Sequence, residues 1–296
     1  MRLPDEFHFS QGSLQDYIDC PRRFQLRHLM HLAWPALIAE PPLDNERFMK
    51  QGAAFHRLLQ QHLLGVQVEC LDQMEMDSDL RQWWQNYLGA QPDPEGGLPD
   101  GLAAELKGPG KLCLAEISLS APLFNYRLVG KFDALVLNKM GTGCCIKIFE
   151  WKTSHKKSSP QSLNQRLQSR VYPYLLVRAS QCFGGGLDLL PESVEMIYWF
   201  AGFPQQAQRY PYNQESYHLD GLYLESLVAE IEARAETGFP LSPGGKSCCW
   251  CTYRSLCERG VRAGGLYEEQ VDSEAGLEGE ATQREFSFEQ IGEISF

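Results

Sequence analysis

The sequence has no long apolar run. Its longest, Leu32 to Ala39, is broken by Pro35, whereas a helix that spans a bilayer needs about 20 apolar residues. The N-terminal MRLPDEFHFS has no apolar core of the kind a secretory signal carries. The expectation is a soluble, cytoplasmic chain with no membrane partner. No repeat of 20 to 50 residues is visible, which excludes a solenoid or propeller. A motor is missing too. Residues 240–247, PLSPGGKS, end like a phosphate-binding loop, but Pro240 stands where that motif needs glycine, and no strand precedes it.

Acid is absent from the stretch Trp151 to Arg178, which holds Lys152, Lys156, Lys157, Arg166, Arg170 and Arg178. The net charge of the 296 residues is −11, a poor sign for a nucleic-acid partner. The placement of that charge matters more than its total. Nine acids and one base, Arg284, fall in residues 268–296, which leaves residues 1–267 with only −3 of the total. The acid-free stretch is either the electrostatic footprint of a phosphodiester partner or a solvated basic helix face. The acidic tail either covers such a basic groove or serves as a solubilising linker.

Cysteine is not scarce: there are ten. Without an export signal they are not expected to form disulfides. Cys113, Cys144, Cys145 and Cys182 lie in or beside apolar runs and read as small core residues. The hydrophobic share of 43% is enough for a sizeable core and excludes global disorder. The length fits one large domain or two small ones.

The chain is organised around Gly130 to Lys152, GKFDALVLNKMGTGCCIKIFEWK. Two apolar runs, Phe132 to Leu137 and Cys144 to Trp151, flank a predicted turn at Asn138 to Gly143. If they pair as antiparallel strands, Asp133 and Glu150 come side by side, with Lys152 beside them. Two carboxylates at the margin of an oily sheet need a cation, and a divalent metal is the natural candidate. Around this core the spacing predicts a helix after Ser10 or Ser13, broken at Cys20-Pro21, then a basic helix with Arg22, Arg23 and Arg27. Further helices are expected at Asn45 to Val66, Asp77 to Leu88, Gln161 to Arg178 and Leu219 to Thr237. The third of these is expected to kink or end at Pro173. Strands are expected at Leu112 to Leu119, Tyr126 to Val129 and Val194 to Phe200. His56 falls near the apolar stripe of its helix, as a packed residue or a ligand. Gln161, Gln165, Gln168 and Tyr172 form a polar stripe at spacings of 4, 3 and 4.

From Phe9 to Cys257 these features resemble the PD-(D/E)XK nuclease superfamily, and specifically its RecB-like, AddB-like branch with an iron–sulfur cluster. The matching elements are GAAFH with His56, GKFDAL with Asp133, and Glu150-Trp151-Lys152. They continue with QSRVY, from Gln168 to Tyr172, and with Cys20 far from Cys248, Cys251 and Cys257. The resemblance implies an α/β, restriction-endonuclease-like core, a central mixed β-sheet flanked by α-helices, with a helical N-terminal region. It implies a nuclease domain over residues 1–263 with a mainly helical insertion at 30–110. The acidic linker at 264–285 and the apolar segment at 286–296 would follow it.

It also implies roles. His56, Asp133, Glu150 and the backbone carbonyl of Trp151 would bind Mg2+ or Mn2+, and Lys152 would orient or help deprotonate a water. Gln168 and Tyr172 would contact the DNA backbone or hold the active-site loop. Glu116, on a preceding strand, matches an acid that some members carry. By their place in the acid-free stretch, and apart from the resemblance, Lys156, Lys157, Arg166 and Arg170 would bind DNA. Cys20, Cys248, Cys251 and Cys257 would ligate a [4Fe–4S] cluster; structural Zn2+ is the alternative on the same residues. The implied function is a deoxyribonuclease acting on single strands or DNA ends in repair or recombination, with a separate helicase or repair protein as a possible partner. The alternatives are a catalytically silent nucleic-acid-binding protein of the same fold and a zinc-stapled interaction protein.

Overall fold

The computed structural model of the chain describes residues 3, 4, 6–32, 38–39, 42–89, 98, 101–140, 143–154, 159–182, 189–243, 248, 251–260 and 262–263. The expected linker at 264–285, the segment at 286–296, Lys156, Lys157 and Cys249 lie outside the described residues. Strands are β1 (His8–Ser10), β2 (Ile38–Ala39), β3 (Lys111–Leu123), β4 (Tyr126–Met140), β5 (Gly143–Lys152), β6 (Val194–Phe200), β7 (Gln208–Pro211) and β8 (Arg262–Ala263). Helices are α1 (Gln11–Asp19), α2 (Pro21–Phe24), α3 (Pro42–Leu63), α4 (Val68–Leu71), α5 (Ser78–Leu88), α6 (Gly101–Lys107), α7 (Pro160–Gln165), α8 (Leu167–Cys182) and α9 (Gln214–Thr237). A π-helical turn, Gln25–Leu29, follows α2.

The chain divides into two compact units. The first holds the described parts of residues 3–48, 122–129 and 221–263. The second holds those of 49–121 and 130–220.

In the first unit Ser10 caps α1: its Oγ accepts from Ser13 N at 3.1 Å, and Ser13 Oγ accepts from Ser10 N at 2.8 Å. This reciprocal box satisfies donors that a helix start leaves open. Cys20 ends α1 in an extended conformation, and Pro21 begins α2, where a missing N–H costs nothing. Asp16 is buried with three basic partners, Arg23 Nε at 2.8 Å, Arg27 Nη1 at 2.9 Å and His28 Nε2 at 2.9 Å. Burial opposes its charge, but these partners outweigh burial and lower its pKa to about 2. β1 runs parallel to the start of β4, with Phe9 beside Leu128.

In the second unit β4 pairs antiparallel with β5, β5 parallel with β6, and β6 antiparallel with β7; β3 also pairs with β4. The result is the mixed sheet flanked by helices that the sequence led us to expect. Side chains alternate between its faces. Ala134, Val136, Phe149, Trp151, Ile197 and Trp199 turn to one face and pack with Phe55, Leu58 and Leu59 of α3, Trp83 and Trp84 of α5 and Leu102 of α6. The alternate residues, Asp133, Leu135, Ile148, Glu150 and Lys152, turn to the face on which α8 packs, where Ser169 Oγ meets Tyr198 Oη at 2.9 Å. The polar stripe of Gln168 and Tyr172 is therefore buried against the sheet.

Three expectations are corrected. The paired strands reach Met140 and Gly143, past the turn expected to begin at Asn138, because ladder bonds use backbone groups and tolerate polar side chains. The helix at 161–178 does not break at Pro173, which lies inside α8. It breaks at Arg166, whose extended backbone ends α7. Val171, Leu175 and Leu176 are buried on both sides of the proline, and that packing carries the helix through the hydrogen bond it lacks. Of the cysteines expected in the core, Cys145 is only half-buried, while Cys113 is half-buried and packs against the core of the second unit.

Candidate active site

Ala134 pairs with Phe149, so the antiparallel register brings Asp133 opposite Glu150. Asp133 Oδ2 accepts a hydrogen bond from Trp151 N at 3.0 Å. That fixes the carboxylate across the hairpin and turns Oδ1 outward. His56 meets it there, with Nδ1 at 3.1 Å from Oδ1. His56 belongs to α3, and Gly52, one turn earlier, governs its approach. A Cβ at Gly52 would lie 3.0 Å from Thr153 Oγ1, tighter than most such contacts, so glycine eases the approach of the helix to the end of β5. The His56 ring also stands edge-on to Trp151, 5.8 Å between centroids.

Glu116 completes the group. It lies within β3 at a φ of +53°, in the left-handed region that non-glycine residues rarely occupy. Its Oε1 lies 3.6 Å from His56 Nδ1, and its Oε2 lies 2.5 Å from Lys131 Nζ. One ligand atom each from His56, Glu116 and Asp133 falls within 4.8 Å of the others, the only such group of His, Cys, Asp and Glu among the described residues. Burial opposes a charge on His56, but Asp133 and Glu116 outweigh it and raise its pKa to about 10. The imidazolium and the Lys131 ammonium then balance two carboxylates. A hard divalent cation fits this set. Two carboxylates and an imidazole are suitable donors, and Glu116 Oε1 is buried without a hydrogen-bond donor.

Of the expected ligands, the structure brings His56 and Asp133 together with Glu116; Glu150 lies outside that close group. Glu150 Oε2 accepts from Gln168 Nε2 at 2.7 Å and faces Lys152 Nζ at 3.9 Å. Both Glu150 and Lys152 are 3% exposed. The ammonium also lies over the Tyr198 ring, 5.9 Å from its centroid. Tyr172 packs its ring on Phe132 at 4.7 Å. Arg170 Nε is paired with Asp220 Oδ1 at 2.6 Å, and Tyr212 Oη donates to Asp220 Oδ2 at 2.9 Å. Arg166 is half-buried at the α7–α8 break. Sequence reasoning overlooked Lys131, although its spacing of two from Asp133 on one strand was a usable signal.

In the first unit Cys20, Cys248, Cys251 and Cys257 line one cavity with Arg23, Arg254 and Arg259. Arg259 Nη1 donates to Cys248 Sγ at 2.8 Å. Burial pushes the Cys20 thiol up, but bonds from Ser242, Arg23 and Arg22 bring it below its ordinary value. Burial keeps Cys251 and Cys257 above theirs. No three of these sulfurs lie within 4.8 Å of one another.

The fold and site define a mixed-sheet α/β protein in which a histidine and two carboxylates converge at the sheet in a set that suits a divalent cation. Residues 8–258 match the family model described as the PD-(D/E)XK nuclease superfamily, and the chain belongs to that superfamily. That superfamily is one of nucleases, whose members act on nucleic acids. A solved structure of a Eubacterium rectale protein, provisionally named an exonuclease, is similar at 8% identity and a TM-score of 0.47, over 78% of this chain and 81% of that one. The solved structure of SSO0001 is similar at 15% identity and a TM-score of 0.33, over 80% of this chain and 93% of that one. No curated protein matches the sequence. Among the described residues no helix is long and apolar enough to cross a membrane.

Proposed function

We propose that the protein is a divalent-metal-dependent deoxyribonuclease of the RecB-like branch, hydrolysing phosphodiester bonds in single strands or at DNA ends during repair or recombination. A separate helicase or repair protein would supply the strands, since the chain has no motor motif of its own. The observation that carries the reading is the convergence of His56, Glu116 and Asp133, with Glu150 and Lys152 on the adjoining strand.

His56, Glu116 and Asp133 would hold Mg2+ or Mn2+, with Glu150 and the Trp151 carbonyl as the further ligands that the family likeness suggests. The cation would neutralise the scissile phosphate and make a bound water acidic. The chain's own residues do the rest. The Trp151 N–H orients Asp133, and Gln168 fixes Glu150 through its Oε2. Lys152, held between Glu150 and Tyr198, presents a cation that orients the attacking water and offsets charge gathering on phosphate oxygens. The α3 helix keeps His56 in reach through Gly52.

Cys20, Cys248, Cys251 and Cys257 would ligate a structural [4Fe–4S] cluster. Structural zinc on the same four residues is the alternative.

The test is cleavage of labelled single- and double-stranded DNA and RNA by purified protein with Mg2+ or Mn2+. DNA cleavage lost in both Asp133→Ala and Lys152→Ala is expected. Salt-dependent DNA binding without cleavage in any metal would instead identify a catalytically silent binding protein.

A further inference from the structure

Lys131 has no part in the reaction so far, yet it touches one of its carboxylates. It stands two residues before Asp133 on β4, so both side chains leave the same face of the strand. Its Nζ lies 2.5 Å from Glu116 Oε2, the oxygen that does not face His56. The two partners are held very differently. The Glu116 side chain is 9% exposed, and its backbone is fixed in a left-handed conformation inside a strand. Such a conformation persists only where the surroundings impose it, and it collects at functional sites. The Lys131 side chain is 38% exposed, so its end can swing into solvent.

A divalent cation at Oε1 and an ammonium at Oε2 compete for this carboxylate's charge. Like charges a few ångströms apart repel, and the repulsion grows with burial. A cation drawn by Asp133 and by the undonated Glu116 Oε1 weakens the hold on Lys131. The released ammonium then lies beside the site where a phosphodiester must sit, and a lysine on a flexible stem is well suited to one of its oxygens.

We propose that Lys131 is an exchangeable counter-ion: it neutralises Glu116 in the metal-free protein, and when a divalent cation takes Glu116 it turns to a phosphate oxygen of the nucleic-acid substrate. Nucleic-acid binding is thereby coupled to metal occupancy. This rests on the metal-dependent reading above.

The test uses the full chain and has two arms. Calorimetry follows Mn2+ binding to the metal-free protein. Oligonucleotide binding is measured in a Lys152→Gln background, in Mg2+ and in EDTA. Lys131→Met is expected to bind Mn2+ several-fold more tightly, because a competitor is gone. It is also expected to bind DNA several-fold more weakly in Mg2+, with the salt slope reduced by about one, and to match its parent in EDTA. Lys131→Arg is expected to keep DNA affinity in Mg2+. Melting of the metal-free proteins checks the fold, and Lys131→Gln, which retains a donor for Glu116, is the milder second variant and is expected to fall between.

Weaker Mn2+ binding by Lys131→Met would mean that the lysine merely props Glu116, and would overturn the proposal. Unchanged Mn2+ affinity, or an equal loss of DNA affinity in Mg2+ and EDTA, would overturn it as well. Failure of the wild type to take up Mn2+ would sink the metal-dependent reading itself, which separates the two failures.

Discussion

The backbone N–H of Trp151 holds the Asp133 carboxylate at 3.0 Å across the hairpin. One oxygen is thereby spent on orientation and the other is left for His56 and a cation. Asp133→Asn keeps an oxygen that can accept from Trp151, so its fold should survive. Its cleavage rate should fall by more than about 100-fold, since even residues that only orient a metal ligand cost 10- to 100-fold. Circular dichroism and a single-turnover assay on the same sample check both halves.

Gly52→Ala should reverse the usual gain from replacing a helical glycine, about 0.8–1.0 kcal/mol. The new Cβ would lie 3.0 Å from Thr153 Oγ1, so the threonine side chain or the helix must give by a few tenths of an ångström. Because His56 rides on that helix one turn later, Mn2+ affinity should fall more than the melting temperature does. Calorimetry and thermal unfolding measured together decide this; a variant more stable than the parent with unchanged Mn2+ affinity would refute it.

His56 sets a pH dependence of the metal-free protein. Its folded pKa is raised from 6.5 to about 10, so its charged pairing with Asp133 and Glu116 stabilises the fold fully below pH 6.5. That contribution is lost as pH rises through about 10. Melting temperatures of metal-free protein between these limits should decline, and the decline should be shallower in His56→Gln.

Arg170 was expected at the DNA surface by its place in the basic stretch, and the structure pairs it with Asp220. Arg170→Ala leaves Asp220, which is 6% exposed, with Tyr212 as its donor. A stability loss of about 1–3 kcal/mol is expected, with the salt slope of DNA binding unchanged. Arg166→Ala should instead make the slope smaller by about one. Denaturant melts and binding isotherms over a salt series separate the two.

Cys20→Ala should abolish the visible absorbance of the purified protein and lower its melting temperature. Cys20 and the other three cysteines lie at opposite ends of the first unit's sequence, and a shared centre would close a very long loop. Metal analysis of anaerobically purified protein should find iron, and zinc with no iron would overturn the cluster.

Much of the second unit could be read in the sequence because its signals are local. The apolar runs Phe132 to Leu137 and Cys144 to Trp151, with turn residues between them, pointed to a paired hairpin, and its antiparallel register sets Asp133 opposite Glu150. Ser10 and Ser13 gave the cap of α1 from residue type alone. What local pattern cannot carry is the approach of separate elements. Only the tertiary structure determined that Glu116 joins His56 and Asp133, because a left-handed residue inside β3 leaves no mark in side-chain periodicity. Only packing decided that Pro173 is carried through α8 and that Arg170 turns to Asp220. The sequence by itself determined which chemical groups are present and on which face of each element they lie. The folded chain decided which of them are neighbours, because neighbourhood across a sheet depends on distances between elements that no spacing within one element contains.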